Sequence, residues 1–341
     1  MTRPMTRAMT RAMSSRRVAL GLALVALAAI PYEVPGTYYI NVASQILLYA
    51  VFALGLSVLV GYAGLVSLGH AGLFGLSCYA IAYLLAAGYG HALAITAGLA
   101  FTLAATGLFA ALSLRSTGIG FIMITLALGE ILWGLAYRWI SITNGDNGIS
   151  VASRPSPFGL TLTSATGFFY ATLLIFLLAV AAVLTFVRSP FGAALTGTRD
   201  QPRRMNALGY HVWMVRFLAC LFSGLLTAIA GMLFVYYNQF ISPQTLALTS
   251  SAEVLLMVIS GGASTLLGPI VGAALVVIIK NVVSAYIERW NFMLGAIFVA
   301  IVILMPEGLV PGSVRIWRMG SRALVRRQRA PDAAASAKGK P

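Results

Sequence analysis

The chain has 341 residues, of which 60% are hydrophobic and only 9% are charged. Soluble domains carry about a quarter charged residues, so this composition excludes an ordinary soluble protein and indicates a membrane protein. The net charge of +15 does not indicate nucleic-acid binding. Its basic residues are concentrated near the two ends and in one central loop, as is typical of segments that flank membrane spans.

The N-terminal segment, residues 1–16, is basic and repeats the letters MTR three times. We expect this segment to be disordered, and any of its methionines could be the start. The apolar run that follows resembles a signal peptide. It ends at Pro31 without a small-x-small cleavage site, so we expect an uncleaved first span.

Ten apolar segments are predicted to cross the membrane, so the predicted fold class is an all-α polytopic membrane protein. They cover residues 17–34, 40–60, 64–88, 92–113, 117–139, 166–187, 213–238, 250–262, 268–286 and 291–310. Lys and Arg are concentrated in the loops on one side, which predicts cytoplasmic termini and an outer loop at 140–165. The predicted organisation is a transmembrane domain, 17–312, followed by a basic cytoplasmic tail, 313–341.

Two glycine-rich breaks interrupt the apolar pattern, one in each half of the chain. Residues 61–72 read GYAGLVSLGHAG and residues 261–272 read GGASTLLGPIVG. Paired breaks of this kind indicate internal repeats with a transport route between them, whereas close helix packing is the alternative explanation. The candidate route residues in these breaks are Gly61, Gly64, Ser67, Gly69, His70, Gly261 and Gly262.

Segment 250–262 is shorter than the other predicted spans. A helix of this length covers about 20 Å, against a hydrocarbon core of about 30 Å. The segment is therefore either a broken or tilted crossing or a re-entrant hairpin. We favour the crossing, because a re-entrant hairpin would disturb the alternation of the loops.

Three ionisable side chains in these apolar surroundings are candidate functional residues. Glu130 is near the middle of a span, where an ionised acid costs about 2.5–3.5 kcal/mol and should face a partner or a cavity. It is either a route residue or a hydrogen-bonded structural acid. Burying a neutral His70 costs little free energy. This residue either lines the transport route or only packs against neighbouring helices. Glu253 begins the short segment, where it either caps a helix or lies at the substrate entrance.

The predicted outer loop carries a run of turn-forming residues: Asn144, Gly145, Asp146, Asn147 and Gly148. Asn-Gly pairs favour turns, and a surface for an external partner is the functional alternative. Calcium binding is not expected, because the oxygen ligands are too few and no glutamate follows at the required position.

Residues 189–210 are predicted to form a short helical hairpin on the cytoplasmic side. Ser189-Pro190 can begin one helix, Pro202 a second, and Gly209 suits the end of that second helix. The segment is either a solvated basic loop or a docking surface for a cytoplasmic partner. The sequence contains no Gly-x-x-x-x-Gly-Lys-Ser/Thr loop, metal-ligand spacing or catalytic motif. We therefore expect neither an enzyme activity nor a bound metal or cofactor.

This loop resembles the coupling loop of branched-chain amino-acid ABC transporter permeases of the LivM type. The resemblance rests on Arg199-Asp200, Arg203-Arg204 and Ala207-Leu208-Gly209-Tyr210, whereas Gln201-Pro202 and Met205-Asn206 fit less closely. Five further stretches follow that family's motifs in order: 61–75, 143–150, 223–246, 251–275 and 305–309. The resemblance covers about residues 40 to 312.

The resemblance implies a subunit of an ATP-driven importer in the bacterial inner membrane. This chain would pair with a second related permease of the LivH type, and two cytoplasmic ATPase subunits would bind ATP and Mg²⁺. A periplasmic binding protein would deliver leucine, isoleucine or valine. The implied ATPase contacts are Arg199, Asp200, Arg203, Arg204, Ala207, Leu208 and Gly209. The alternatives are a permease for urea or short-chain amides, an ion-coupled secondary transporter and a non-transporting membrane scaffold.

Overall fold

The computed structural model describes residues 31, 36–151, 164–283, 290–305 and 308–313. Its helices are α1 (Thr37–Ser57), α2 (His70–Ala86), α3 (His91–Ser113), α4 (Ile119–Arg138), α5 (Ile140–Thr143), α6 (Ala165–Arg188), α7 (Pro190–Asp200), α8 (Pro202–Ala207), α9 (Val212–Asn238), α10 (Leu248–Gly261), α11 (Leu267–Val283) and α12 (Trp290–Leu304). Two short strands, β1 (Ile149–Ser150) and β2 (Phe240–Ile241), form an antiparallel pair. Short 3₁₀ turns cover Gly145–Asn147 and Pro243–Leu246, and a π-helical turn, Val58–Ala63, extends α1.

Five helical stretches are long and apolar enough to cross a membrane. They are Thr37–Ala63, His91–Ser113, Ile119–Arg138, Ala165–Arg188 and Val212–Asn238, and the shorter α2, α10 and α11 are also apolar. These helices confirm the prediction of an all-α polytopic membrane protein. The second to tenth predicted spans each correspond to a described helix. The proposed segment 1–16 and the first span lie outside the described residues except for residue 31, as does the tail except for residue 313.

The third predicted span starts later than the sequence indicated, at His70 rather than at residue 64. Gly64 adopts a left-handed conformation, with φ of 69°, at the end of the π-helical turn. A left-handed residue ends a helix, and residues 65–69 are not helical. The next helix begins at His70, after this non-helical segment.

The helix ends meet at two faces of the bundle. On the first, which we call the hairpin face because α7 and α8 lie there, Arg199 reaches Gly61 at the end of the first helix, and Arg216 at the start of α9 reaches Thr198. On the opposite face, β1 pairs with β2 beyond the end of α9. The hairpin and the strand pair therefore lie at opposite ends of the bundle.

Helices α1 and α9 form the centre of the bundle, with most of their residues buried. Small residues allow close packing around them: a Cβ on Gly55 would lie 3.0 Å from the carbonyl oxygen of Ser223, and one on Gly231 would lie 2.7 Å from that of Phe74. Phe52 stacks on Phe74 with ring centroids 4.5 Å apart. In α3, α4 and α6 only 22%, 22% and 28% of the most apolar window is buried within this chain, so these helices form its periphery.

The short helix α10 runs from the interior of the bundle towards the hairpin face. Its end lies near the hairpin face, because Ala263, just beyond it, contacts Gly61. Its start lies beside the first turns of α2, where the Ala71 amide donates to Ser251 Oγ at 3.0 Å. The 3₁₀ turn before α10 also lies beside the first turns of α2, since its Leu246 packs against Gly75. Non-helical backbone thus lies within the bundle next to α10, whose 14 helical residues are too few to cover about 30 Å as one helix.

Candidate functional site

The first glycine-rich break is linked directly to the hairpin. The Arg199 guanidinium donates from Nη1 to the carbonyl oxygen of Gly61 at 2.5 Å and from Nε to Asp200 Oδ1 at 2.8 Å. Helix ends leave carbonyl groups without intrahelical partners, and the arginine satisfies one of them. Gly64 is also needed here, because a Cβ on it would lie 2.6 Å from Arg199 Cγ. The last turn of α7 is therefore bound to the point where the first crossing breaks.

The two predicted breaks are in contact with each other. Gly61 packs on the backbone carbonyl of Ala263 so closely that no Cβ would fit. Within the second break, Gly261 packs equally closely on the backbone at Gly268, and Gly262 adopts φ of 111° in the turn after α10. Backbone packing thus accounts for the glycines at these positions, and at the Gly61–Ala263 contact there is no space between the breaks.

His70 is a buried connection between three segments, with only 3% of its surface exposed. Its Nε2 lies 2.9 Å from Ser223 Oγ, and its Nδ1 lies 2.8 Å from Ser67 Oγ. Ser223 already donates its hydroxyl hydrogen to the Gly55 carbonyl at 2.6 Å, so Nε2–H is the donor to Ser223. Ser67 then donates to Nδ1, which is the arrangement of a neutral imidazole.

Further hydroxyl groups hold the break in place. Thr125 Oγ1 on α4 accepts from the Leu68 amide at 3.2 Å, and Gly69 packs closely against the Thr125 carbonyl. Sequence reasoning missed Thr125, Ser223 and Ser251. Serine and threonine are common on apolar helices, and no pattern in the sequence distinguishes these three.

Glu130 lines an open cleft near the opposite face. The cleft has a volume of about 330 Å³ and is bounded by Glu130, Trp133 and Tyr137 of α4, by Asp146, and by Gln244 and Leu248 before and at the start of α10. Trp133 and Tyr137 are stacked, with centroids 5.5 Å apart. Among the described residues, none hydrogen-bonds to the Glu130 carboxylate, so this acid is available to a ligand in the cleft.

The predicted outer loop is built from turns, as its Asn-Gly pairs indicate. Asn144, Gly145 and Gly148 all have φ between 59° and 67°, and Gly148 is buried against the Ile241 carbonyl. Asp146 and Asn147 are exposed. Asp146 also lines the cleft of Glu130, so it contributes a second carboxylate there.

Glu253 is paired rather than capping. Its two carboxylate oxygens accept from Lys280 Nζ at 3.2 and 3.1 Å, across the α10–α11 hairpin. No side chain caps α10, whose N-cap residue is Ala247, so the capping interpretation of Glu253 is wrong. The sequence carried a signal for this pair, since Lys280 is the lone charge in its span and Glu253 the lone acid in the neighbouring one.

The hairpin has the two helices that the sequence predicted. Ser189 caps α7 by accepting from the Gly192 amide, and Pro202 begins α8. The Gly209 amide donates to the Asn206 carbonyl and the Tyr210 amide to the Met205 carbonyl, both at 3.0 Å. These two bonds form a Schellman motif at the end of α8.

One side of the hairpin is packed and the other is open. Leu195 and Thr198 are buried against the bundle. The exposed residues include Asp200, Arg203, Arg204, Ala207 and Gly209, together with Leu208, which is 72% exposed. Of the residues implied by the resemblance to contact a partner, Arg199 instead directs its guanidinium towards Gly61 and Asp200.

A family model described as the permease component of branched-chain amino acid transport systems matches residues 38–302. This chain belongs to that family. It is therefore a transport component of the membrane and not an enzyme.

Two relatives of the permease carry the name high-affinity branched-chain amino acid transport system permease protein LivM. The protein from Salmonella typhimurium LT2 is 29% identical over 322 residues, and that from Escherichia coli K12 is 30% identical over 323 residues. Each alignment covers 87% of this chain and 75% of the relative. The autoinducer 2 import system permease protein LsrC of Yersinia enterocolitica is 31% identical over 138 residues, 38% of each chain. No solved structure matches the permease.

Proposed function

We propose that this permease is the membrane subunit of an ATP-driven ABC importer for leucine, isoleucine and valine in the bacterial inner membrane. The main support is the family match over residues 38–302, together with the two relatives named for branched-chain amino acids. The proposed partners are a second permease of the LivH type, two ATPase subunits that bind ATP and Mg²⁺, and a periplasmic binding protein. In this proposal the permease carries no cofactor of its own.

The proposed orientation sets the hairpin face in the cytoplasm. Basic residues flanking spans favour the cytoplasmic side, and this face carries Arg188, Arg199, Arg203, Arg204 and Arg216. Both termini would then be cytoplasmic. The cleft of Glu130 and Asp146 would open towards the periplasm, where a binding protein could release its substrate.

The proposed coupling mechanism divides the hairpin between two tasks. Arg203, Arg204 and Leu208 are exposed and would contact the ATPase subunits. Arg199 would transmit the movement, because its hydrogen bond to the Gly61 carbonyl at 2.5 Å joins the hairpin to the first break. Movement of α7 would shift Gly61 and, through the Gly61–Ala263 contact, the turn after α10. Coupling also requires that the ATPase contacts differ between the two states of the permease.

The proposed entrance for the substrate is the cleft near the opposite face. A free amino acid carries an ammonium group, which Glu130 and Asp146 could attract. The aliphatic side chain of leucine, isoleucine or valine could contact Trp133, Tyr137 or Leu248, which line the same cleft. Binding sites of this mixed character, apolar with a few polar groups, are typical for small molecules.

An uptake experiment tests the substrate. Cells that lack their own branched-chain carriers would express the permease with its partner subunits and receive radiolabelled leucine. We expect uptake that excess isoleucine or valine suppresses and that urea or acetamide leaves unchanged. Absence of leucine uptake, with uptake of labelled urea or amide instead, would contradict the substrate assignment and favour the alternative amide permease. The LsrC relative, named for a different solute, makes this comparison necessary.

A further inference from the structure

A second cavity lies on the hairpin face, separate from the cleft of Glu130. Its volume is about 570 Å³, and it is lined by residues that include Leu114 after α3, Asn206 of α8, Tyr210, His211, and Trp213 and Arg216 of α9. This volume falls within the range of about 300–1,000 Å³ that is usual for small-molecule pockets. The proposed transport mechanism does not use this cavity.

Arg216 brings an uncompensated positive charge to the cavity. Its Nη2 donates to the Thr198 carbonyl at 2.9 Å, while its buried Nε has no hydrogen-bond partner among the described residues. The two ion pairs within the described ranges, Arg199–Asp200 and Lys280–Glu253, do not include Arg216. A partly buried guanidinium without a carboxylate partner favours a bound anion.

The surroundings of the cavity add to this preference for an anion. Arg115 follows Leu114 directly in the sequence, and Arg203 and Arg204 belong to α8, whose C-terminal end lines the cavity. Asp200, the acidic residue of the hairpin, is already paired with Arg199. The charge around the cavity is therefore predominantly positive.

The cavity is continuous with an apolar surface of the membrane-crossing helix α9. Trp213, which lines the cavity, stacks on Phe217 with centroids 5.0 Å apart. Met214 and Leu218, four residues apart and hence neighbours on the helix surface, are both exposed. Tyr210 and Trp213 are of the residue types enriched where a helix leaves the membrane. A ligand with a negative head and apolar chains would fit both the cavity and this surface.

We propose that the cavity lined by Arg216, Trp213 and Tyr210 binds the phosphate headgroup of an anionic phospholipid, with the acyl chains along Met214 and Leu218. Basic pockets between membrane helices on the cytoplasmic side are a known type of headgroup site. Such a lipid would fill the space between α8 and the start of α9. It would thereby support the hairpin from the side that faces the membrane.

The test uses the purified full-length permease, with any subunits that it retains, in a neutral detergent after removal of lipid. Phosphatidylglycerol, phosphatidylcholine and inorganic phosphate are added separately, and the melting temperature and the lipid retained in native mass spectrometry are measured. We expect phosphatidylglycerol to raise the melting temperature at concentrations where the other two do not. Arg216→Gln should weaken phosphatidylglycerol binding about tenfold, as for a lost charge-assisted hydrogen bond.

The matched control is Arg188→Gln, which removes an exposed arginine at the end of α6 that does not line the cavity. It should bind phosphatidylglycerol like the unaltered chain. If Arg216→Gln fails to fold, Tyr210→Ala at the exposed edge of the cavity provides a second variant, and it should weaken binding by a few-fold.

Three results would overturn the proposal. Equal effects of phosphatidylglycerol and phosphatidylcholine would remove the need for a net negative headgroup. Equal binding of inorganic phosphate would make the site one for a free anion. Loss of partner subunits from Arg216→Gln with unchanged lipid retention would assign the cavity to a protein interface. None of these results depends on which solute the permease carries.

Discussion

Replacing Arg199 by alanine should uncouple transport from ATP hydrolysis. The substitution removes the donor to the Gly61 carbonyl and the partner of Asp200. A hydrogen bond to a charged group contributes about 1.5–3 kcal/mol. The Arg199 side chain is 36% exposed, so screening by solvent favours the lower end of this range. A loss of about 1.5 kcal/mol corresponds to about a tenfold decrease in substrate moved for each ATP hydrolysed.

The assay compares leucine uptake with ATP hydrolysis in vesicles that contain the permease and its partners. Arg199→Lys keeps the charge but loses the planar fork that reaches both Gly61 and Asp200, so its effect should be intermediate. Arg188→Ala, an exposed arginine immediately before the hairpin, is the matched control and should behave like the unaltered permease. Unchanged uptake per ATP in Arg199→Ala, or an equal loss in Arg188→Ala, would refute the link between hairpin and break.

Other substitutions test the packing around the breaks through the melting temperature of the purified permease. His70→Ala removes the ring between Ser67 and Ser223 and should cost about 2–4 kcal/mol of unfolding free energy; an unchanged melting temperature would contradict the buried role of His70. Gly61→Ala places a methyl group on the Ala263 carbonyl and should lower the melting temperature, whereas Gly134→Ala, with open space around it, should not. Equal melting temperatures for Gly61→Ala and Gly134→Ala would exclude the contact between Gly61 and the Ala263 carbonyl. Glu253→Gln or Lys280→Met alone should destabilise by up to about 3 kcal/mol, because each leaves a charge between apolar helices. The double variant should recover part of that loss, and additive losses would show that the pair does not interact.

The helices were largely predictable from the sequence, because a membrane span needs about 20 apolar residues. Basic loops in addition indicate which side of the membrane is cytoplasmic. The breaks were also visible, since several glycines lie within a few residues of one another in each of them. The contact between them was not predictable. Gly61 and Ala263 are about 200 residues apart, and the composition of each break is equally compatible with a lined route and with backbone packing.

The roles of the polar residues were less predictable than their positions. Arg199 reads as one of several arginines in a basic loop, and only the fold shows that its guanidinium turns inward to Gly61. Glu253 stood near the start of a helix, which suggested a cap, but its partner Lys280 lies on the next helix. In both cases the partner is set by tertiary packing, which a local pattern does not contain.

The most direct test of the account is leucine uptake by vesicles reconstituted with defined components. All components are present: the permease, its LivH-type partner, the ATPase subunits and the binding protein. We expect leucine uptake that requires ATP on the side of the membrane where the ATPase subunits are bound. This uptake should persist without an ion gradient. Uptake by the permease alone, driven by a proton or sodium gradient in the absence of ATP, would contradict the account and identify a secondary transporter.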